Sequence, residues 1–340
     1  MVKGTLAFDW TRAQPRAALL CLPAVAVPLL LGMILARPIA GLMVAAGAFS
    51  VGFGSFQEFR GSRRLPMLVA TATICLSSWI GTIAGASAPA VLVLSALWGA
   101  AYGLAGTAGA ATAWLALQCL IWLLISMSYP SHGTAALVRG SCALGGGLLQ
   151  MLVVWTGWWS TGNVPAPASF GPITGGSVYR WRAIHTATVL VASTALARTA
   201  PFANSYWIPM TAAIVTRPEL RQTVERGLAR TAGTLAGAAI ATLAAWALHP
   251  HGAAVSGLVL VFAGLAYLML FVNYATFAAC VTAYVVFLLT LAGATQGPLV
   301  AHRIASTVLG AALAWIGHAL FARVERAAAA QATPEDANKP

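Results

Sequence analysis

The sequence predicts an all-α polytopic membrane protein of about twelve transmembrane helices. These are arranged as two parallel six-helix repeats, with both termini in the cytoplasm. Three observations carry this expectation. Of 340 residues, 59% are hydrophobic and 8% charged, with a mean hydropathy of +0.82, where a soluble domain carries roughly a quarter charged residues. Apolar runs follow one another almost end to end, and they are continuous rather than alternating, which favours helices over a barrel. The basic residues gather at alternate ends of those runs, as topology requires.

Taken in order, the first run covers 17–36. Lys3, Arg12 and Arg16 precede it as they would a signal peptide. The run nevertheless ends at Arg37-Pro38 without a small-x-small cleavage site, so it reads as the first span. Leu20 before Cys21 also spoils a lipoprotein acylation site. Spans at 39–56, 66–86, 89–107, 108–128 and 135–158 complete a first half, residues 1–160. A linker over 161–179, marked by Pro165, Pro167, Pro172 and several glycines, divides the chain. The second half, 180–326, reads as spans at 183–200, 204–216, 229–247, 253–272, 274–294 and 301–322. The small polar tail 327–340 is expected to be disordered.

With the N-terminus inside and the spans alternating, fifteen basic residues fall in the cytoplasm: Lys3, Arg12, Arg16, Arg60, Arg63, Arg64, Arg180, Arg182, Arg217, Arg221, Arg226, Arg230, Arg323, Arg326 and Lys339. Arg37, Arg139, Arg198 and Arg303 fall outside. This bias, with anionic lipid headgroups, accounts for the net charge of +12 without a nucleic-acid partner. The five cysteines are scattered through apolar spans and suggest neither disulfides nor a metal site. No nucleotide-binding loop or nucleophile elbow is present, so neither an ATP-driven pump, a membrane enzyme nor a cofactor is expected.

Shifting the first half by 161 positions lays Glu58 on Glu219, Arg60 on Arg221 and Thr73 on Thr234. In both halves a short Gly- or Pro-marked span precedes a basic turn and then a helix of small residues. An even span count per half gives the copies one orientation, hence parallel repeats.

The most informative stretch is 204–237. An apolar piece from Tyr206 to Thr216 stops at Arg217-Pro218 and is too short to cross a bilayer comfortably. Short or Pro-interrupted spans of this kind point to a transport site. Pro209 frees a backbone carbonyl, tolerable only beside protein or a watery cavity, and Tyr206-Trp207 offers rings that can stack on a planar substrate. Arg221, Arg226 and Arg230 form a basic stripe whose planar forks suit carboxylates. Arg217 and Arg221 equally fit a purely topological role, whereas Arg226 and Arg230 enter the following helix, where an unpaired charge is costly.

The order Tyr206-Trp207-Ile208-Pro209, Thr211, Ile214-Val215, Arg217-Pro218, then Thr223, Arg226-Gly227, Arg230, Gly233-Thr234 and Gly237 resembles the fusaric acid resistance and aromatic acid exporter family of bacterial inner-membrane proteins. The first-half copy is degenerate, with Phe53-Gly54-Ser55-Phe56 where the aromatic-Pro pattern would fall. The large cytoplasmic domain of many members is not in this sequence. The resemblance implies efflux of aromatic or other weak organic acids across the inner membrane, driven by the proton motive force. It implies a substrate site of Tyr206, Trp207, Pro209, Thr211, Arg226, Arg230 and Thr234. A distant likeness to plant aluminium-activated malate channels supplies an alternative, a passive organic-anion channel. A non-transporting membrane scaffold is the second alternative.

No carboxylate falls mid-membrane. Coupling or gating is therefore assigned to Glu58, Glu219, Arg217, Arg221, His185 and His318, or to protonation of the substrate itself. Glu219 can instead pair with Arg217 or cap the next helix. His249 and His251 flank Pro250 in an external loop but lack further metal ligands. Trp155, Trp158 and Trp159 are assigned to the interfacial belt. Gly81 and Gly85, Gly99 and Gly103, and Gly233 and Gly237 read as close helix packing. The expected partners are a small organic acid, membrane lipids and, as an open option, further copies of the chain.

Overall fold

A computed structural model describes residues 7–59, 61–161, 176–217, 219–248 and 252–331. Over these the chain forms twelve α-helices: α1 (Pro15–Ile34), α2 (Pro38–Gly52), α3 (Arg64–Ala84), α4 (Ala88–Ala108), α5 (Ala110–Met127), α6 (Thr134–Thr161), α7 (Gly176–Thr199), α8 (Trp207–Val215), α9 (Leu220–Leu248), α10 (Ala253–Met269), α11 (Tyr274–Leu291) and α12 (Gln296–Gln331). Short 3-10 turns occur at Trp10–Arg12 and Phe53–Phe56. Proline opens α1 and α2, where its missing N–H has no helical partner to lose. The Ser87 hydroxyl caps α4 through the Ala90 N–H, and the Asn273 side chain caps α11 through the Thr276 N–H at 2.9 Å. Gly109, at φ 135°, separates α4 from α5 in a conformation open to glycine and closed to side chains with a Cβ.

Among the described residues, nine helical stretches are long and apolar enough to cross a membrane. The protein is thus an all-α, multi-pass membrane protein. The expectation of twelve spans differs at three helices. α8 has 9 residues, α10 has 17, and α7 is diluted by Arg180, Arg182, His185 and a run of hydroxyl residues. The last helix starts five residues earlier than expected and continues into the segment read as a tail, with 332–340 outside the described residues. Lys3, Arg60, Pro165, Pro167, Pro172, Pro218, His249, His251 and Lys339 also lie outside them.

Neighbours follow one pattern twice. In the first six helices, α2 packs on α1 and α6, α3 on α5 and α6, and α4 on α5. In the last six, α8 packs on α7 and α12, α9 on α11 and α12, and α10 on α11. The two sets meet through α4 against α7 and α10 against α1. Glycine makes the tightest of these approaches possible. A Cβ on Gly146 of α6 would collide with the Val44 carbonyl and Ala48 N–H of α2, and one on Gly310 of α12 with the Ile208 carbonyl and Ala212 N–H of α8. The glycine pairs foreseen as packing elements sit against backbone or side chain in the same way. Gly81 and Gly85 face α5, Gly99 and Gly103 face α7, and Gly233 and Gly237 face the α11 carbonyls of Ala275 and Ala279.

Trp155 and Trp158 are more than a belt. Trp158 is buried, with the Arg63 guanidinium 5.3 Å from its ring, and Arg64 stacks on Trp155 at 5.5 Å. The side chain of Trp159 is outside what is described.

Candidate functional site

The short helix α8 is enclosed from several sides. Its residues Trp207 to Ala213 are all buried, flanked by α7 and α12. Asn204, at φ 61°, turns the chain into it, a left-handed conformation asparagine tolerates. Pro209 leaves the Ser205 carbonyl without its usual partner, and the Ile208 N–H fills that place at 2.9 Å. The carbonyl expected to be freed by Pro209 is therefore satisfied within the chain. At the other end Thr223, fully buried on α9, accepts from the Arg217 backbone N–H at 2.9 Å and donates to the Glu219 carbonyl at 3.1 Å. One hydroxyl thus fixes the turn that stops α8.

A line of arginines runs alongside. Arg226 donates its Nε–H to the Ile214 carbonyl at 3.3 Å and lies 3.8 Å over the Tyr274 ring. Arg230, one turn further along α9, is 4% exposed, and its Nε has no partner. Arg303 of α12 is 3% exposed, its Nε also unpartnered, and its guanidinium sits 4.5 Å over the Trp207 ring. The charged and phenolic neighbours of Arg226 are Tyr274, Arg217, Tyr102 and Arg230; those of Arg303 are Arg230 and Tyr206. No carboxylate is among them. Among the described residues the one ion pair is Arg221–Glu225 at 2.9 Å, on the exposed side of α9.

Burying two guanidinium groups with open donors and no counter-ion costs several kcal/mol in a medium this apolar. The arrangement makes chemical sense when an anion completes it. Around these arginines stand a buried Thr234 hydroxyl without a partner, the Tyr274 hydroxyl beside Arg230, and the Trp207 indole. Thr211, also buried, packs where Gly310 lets α12 close on α8.

Among the described residues of the first six helices the comparable arginine is Arg63, before α3, whose Nε and Nη1 are buried without partners but which donates to the Ser55 carbonyl and has Glu58 as a charged neighbour. α3, packed on α5 and α6 as α9 is on α11 and α12, buries Met67, Ala70, Ile74 and Ser78 and no charge. Arg139 of α6 is satisfied by the Thr82 hydroxyl at 3.0 Å and the Tyr129 carbonyl at 2.6 Å.

Residues 188–317 match the family model described as fusaric acid resistance protein-like. That stretch, in the second half of the chain, is similar to that family. No curated protein and no solved structure matches the chain. The matched stretch takes in α8, α9 and most of α12, so each of the buried arginines lies inside the fusaric acid resistance protein-like region. That family is one of membrane transporters rather than enzymes.

The remaining sequence candidates fall in different places. His185 of α7 and His318 of α12 meet ring to ring, centroids 5.2 Å apart, with Phe321 4.8 Å from His185. Glu58 and Glu219 are both exposed. Of the alternatives read for Glu219, an ion pair with Arg217 is not formed; the ion pair among the described residues joins Arg221 to Glu225, four apart on one helix face. Arg303, counted with the charges on the non-cytoplasmic side at the start of the 301–322 span, is buried in α12 beside Trp207. With Tyr274 it is the functional candidate missed by sequence reasoning. Its signal was present: a charge inside an apolar helix marks a site by default.

Proposed function

We propose that the chain is an efflux transporter of the bacterial inner membrane, moving aromatic or other weak organic acids along the arginines beside α8. The observation that supports this most is the pair Arg230 and Arg303, buried with open Nε donors and no carboxylate beside them. Substrate would be held by Arg226, Arg230 and Arg303, with Trp207, Thr211, Thr234 and Tyr274 around it and Tyr206 and Pro209 at the start of α8. Guanidinium forks match carboxylate geometry bidentately, and the indole and phenol faces suit an aromatic ring. On this reading the Arg303 guanidinium over Trp207 is the substrate-free arrangement, and an aromatic acid takes its place on the ring.

The recurring neighbour pattern supports two parallel six-helix repeats, of which the second keeps the cationic site. Arg217 and Arg221 form the cytoplasmic mouth, in keeping with N-in and C-in termini. Burial of Arg230 and Arg303 away from water suits a carrier that alternates better than a standing anion pore. Proton coupling is assigned to the substrate's own carboxyl and to the His185–His318 pair, with exposed Glu58 and Glu219 as edge residues.

Reconstitution into liposomes with a panel of labelled weak acids tests the reading. Saturable flux that responds to a pH gradient, and falls in Arg230→Gln and Arg303→Gln, is the expected result. Absence of flux for every acid overturns it, and sustained single-channel currents in a planar bilayer would put a channel in its place.

A further inference from the structure

A cavity of about 390 Å³ opens where α8 begins, at the end of the helix opposite the basic turn. Its walls come from both sets of six helices: Tyr129, between α5 and α6, lines it together with Arg198 in the last turn of α7 and Phe202, Asn204 and Tyr206 of the α7–α8 connection. The Tyr129 hydroxyl and Asn204 side chain are hydrogen-bonded across this boundary, and the Tyr129 and Tyr206 rings lie 6.2 Å apart. Thr194 of α7 also lines the cavity, 4% exposed, its hydroxyl without a partner. Arg198 is exposed and forms no ion pair among the described residues.

A volume in this range suits a small organic molecule. Its lining combines three aromatic rings, one free guanidinium and one buried hydroxyl in need of a partner. We propose that this cavity is a second binding site, adjoining the one at the buried arginines through Tyr206 and Pro209, and that it takes an aromatic carboxylate. The ring lies between Tyr129, Phe202 and Tyr206, and the carboxylate is held by Arg198 with the Thr194 hydroxyl donating to the anion. The site deepens the transport reading by giving the substrate a station at the mouth opposite the basic turn. Tyr206, which lines this cavity, meets the Trp207 ring edge-on at 5.6 Å and so adjoins the ring that Arg303 covers.

Equilibrium binding of radiolabelled benzoate to the purified full-length chain separates the two sites. The wild type is expected to bind two benzoates per chain. Arg198→Gln should lose the cavity site, with an affinity there about ten-fold weaker or worse, and Arg198→Lys should retain it. Thr194→Val should weaken the same site, and hexanoate should compete poorly for it. Arg230→Gln should remove the other site and leave this one. If Arg198→Gln and Thr194→Val both bind two benzoates like the wild type, the cavity proposal is overturned while the buried-arginine reading stands. If Arg230→Gln still binds two and Arg198→Gln binds one, the cavity site stands and the buried-arginine reading fails. Failure of the wild type to bind benzoate at all overturns both.

Discussion

Arg230 and Arg303 behave oppositely under a ligand-binding role and a structural one. A buried charge held by structural partners destabilises the protein when removed, whereas one left open for a ligand is itself a cost in the empty protein. Arg230→Gln and Arg303→Gln should therefore leave the thermal midpoint of the substrate-free protein unchanged or raised, while abolishing flux. A lowered midpoint together with normal flux would assign both residues to packing. Trp207→Ala removes a stacking face worth about 0.5–1.5 kcal/mol beyond burial and should impair aromatic acids more than aliphatic ones; equal loss for both classes would argue against stacking. Arg226→Gln should weaken anion handling less than Arg230→Gln, since the Arg226 Nε–H already has the Ile214 carbonyl. Arg323, in the part of α12 beyond these contacts, serves as a mild control. Trp158 does not, because burial under Arg63 makes even Trp158→Phe a core change.

At the scale of elements, α12 approaches α8 at Gly310, where a Cβ would strike the Ile208 carbonyl. Gly310→Ala must push the two helices apart, at a cost of about 1–3 kcal/mol for overpacking. The same shift should loosen Arg303 from Trp207, so transport falls further than stability predicts. Gly146→Ala makes the matching collision between α6 and α2, beside no cationic cluster. It should cost similar stability with a smaller effect on flux per folded molecule. Thermal unfolding and flux normalised to folded protein check both. Equal functional loss from the two substitutions would count against a site confined to the second half.

For the molecule as a whole, α4 against α7 and α10 against α1 tie one set of six helices to the other. Chains 1–161 and 176–340, produced together, should copurify and recover flux, because the division falls between α6 and α7. Either piece alone leaves those faces uncovered and should aggregate or degrade. Recovery of full flux by 176–340 alone would mean that the first six helices are dispensable.

Composition and hydropathy made the membrane class and the helical fold legible, since apolar side chains in long continuous runs have few other places to go. The Tyr206–Gly237 pattern made the family likeness and the shortness of α8 legible, and a helix of 9 residues cannot span a bilayer and must be enclosed. The motif also brought Arg226, Arg230 and Thr234 into view, being on one stretch of chain. Tertiary structure alone decided what those residues meet. Arg303 lies far along the chain and joins Arg230 and Trp207 only because Gly310 lets α12 close on α8. His185 and His318 become a pair in the same way, through α7 packing on α12. Hydropathy is a property of each segment taken singly. Which charges share a buried space depends on how segments pack, and that is a property of the assembled helices.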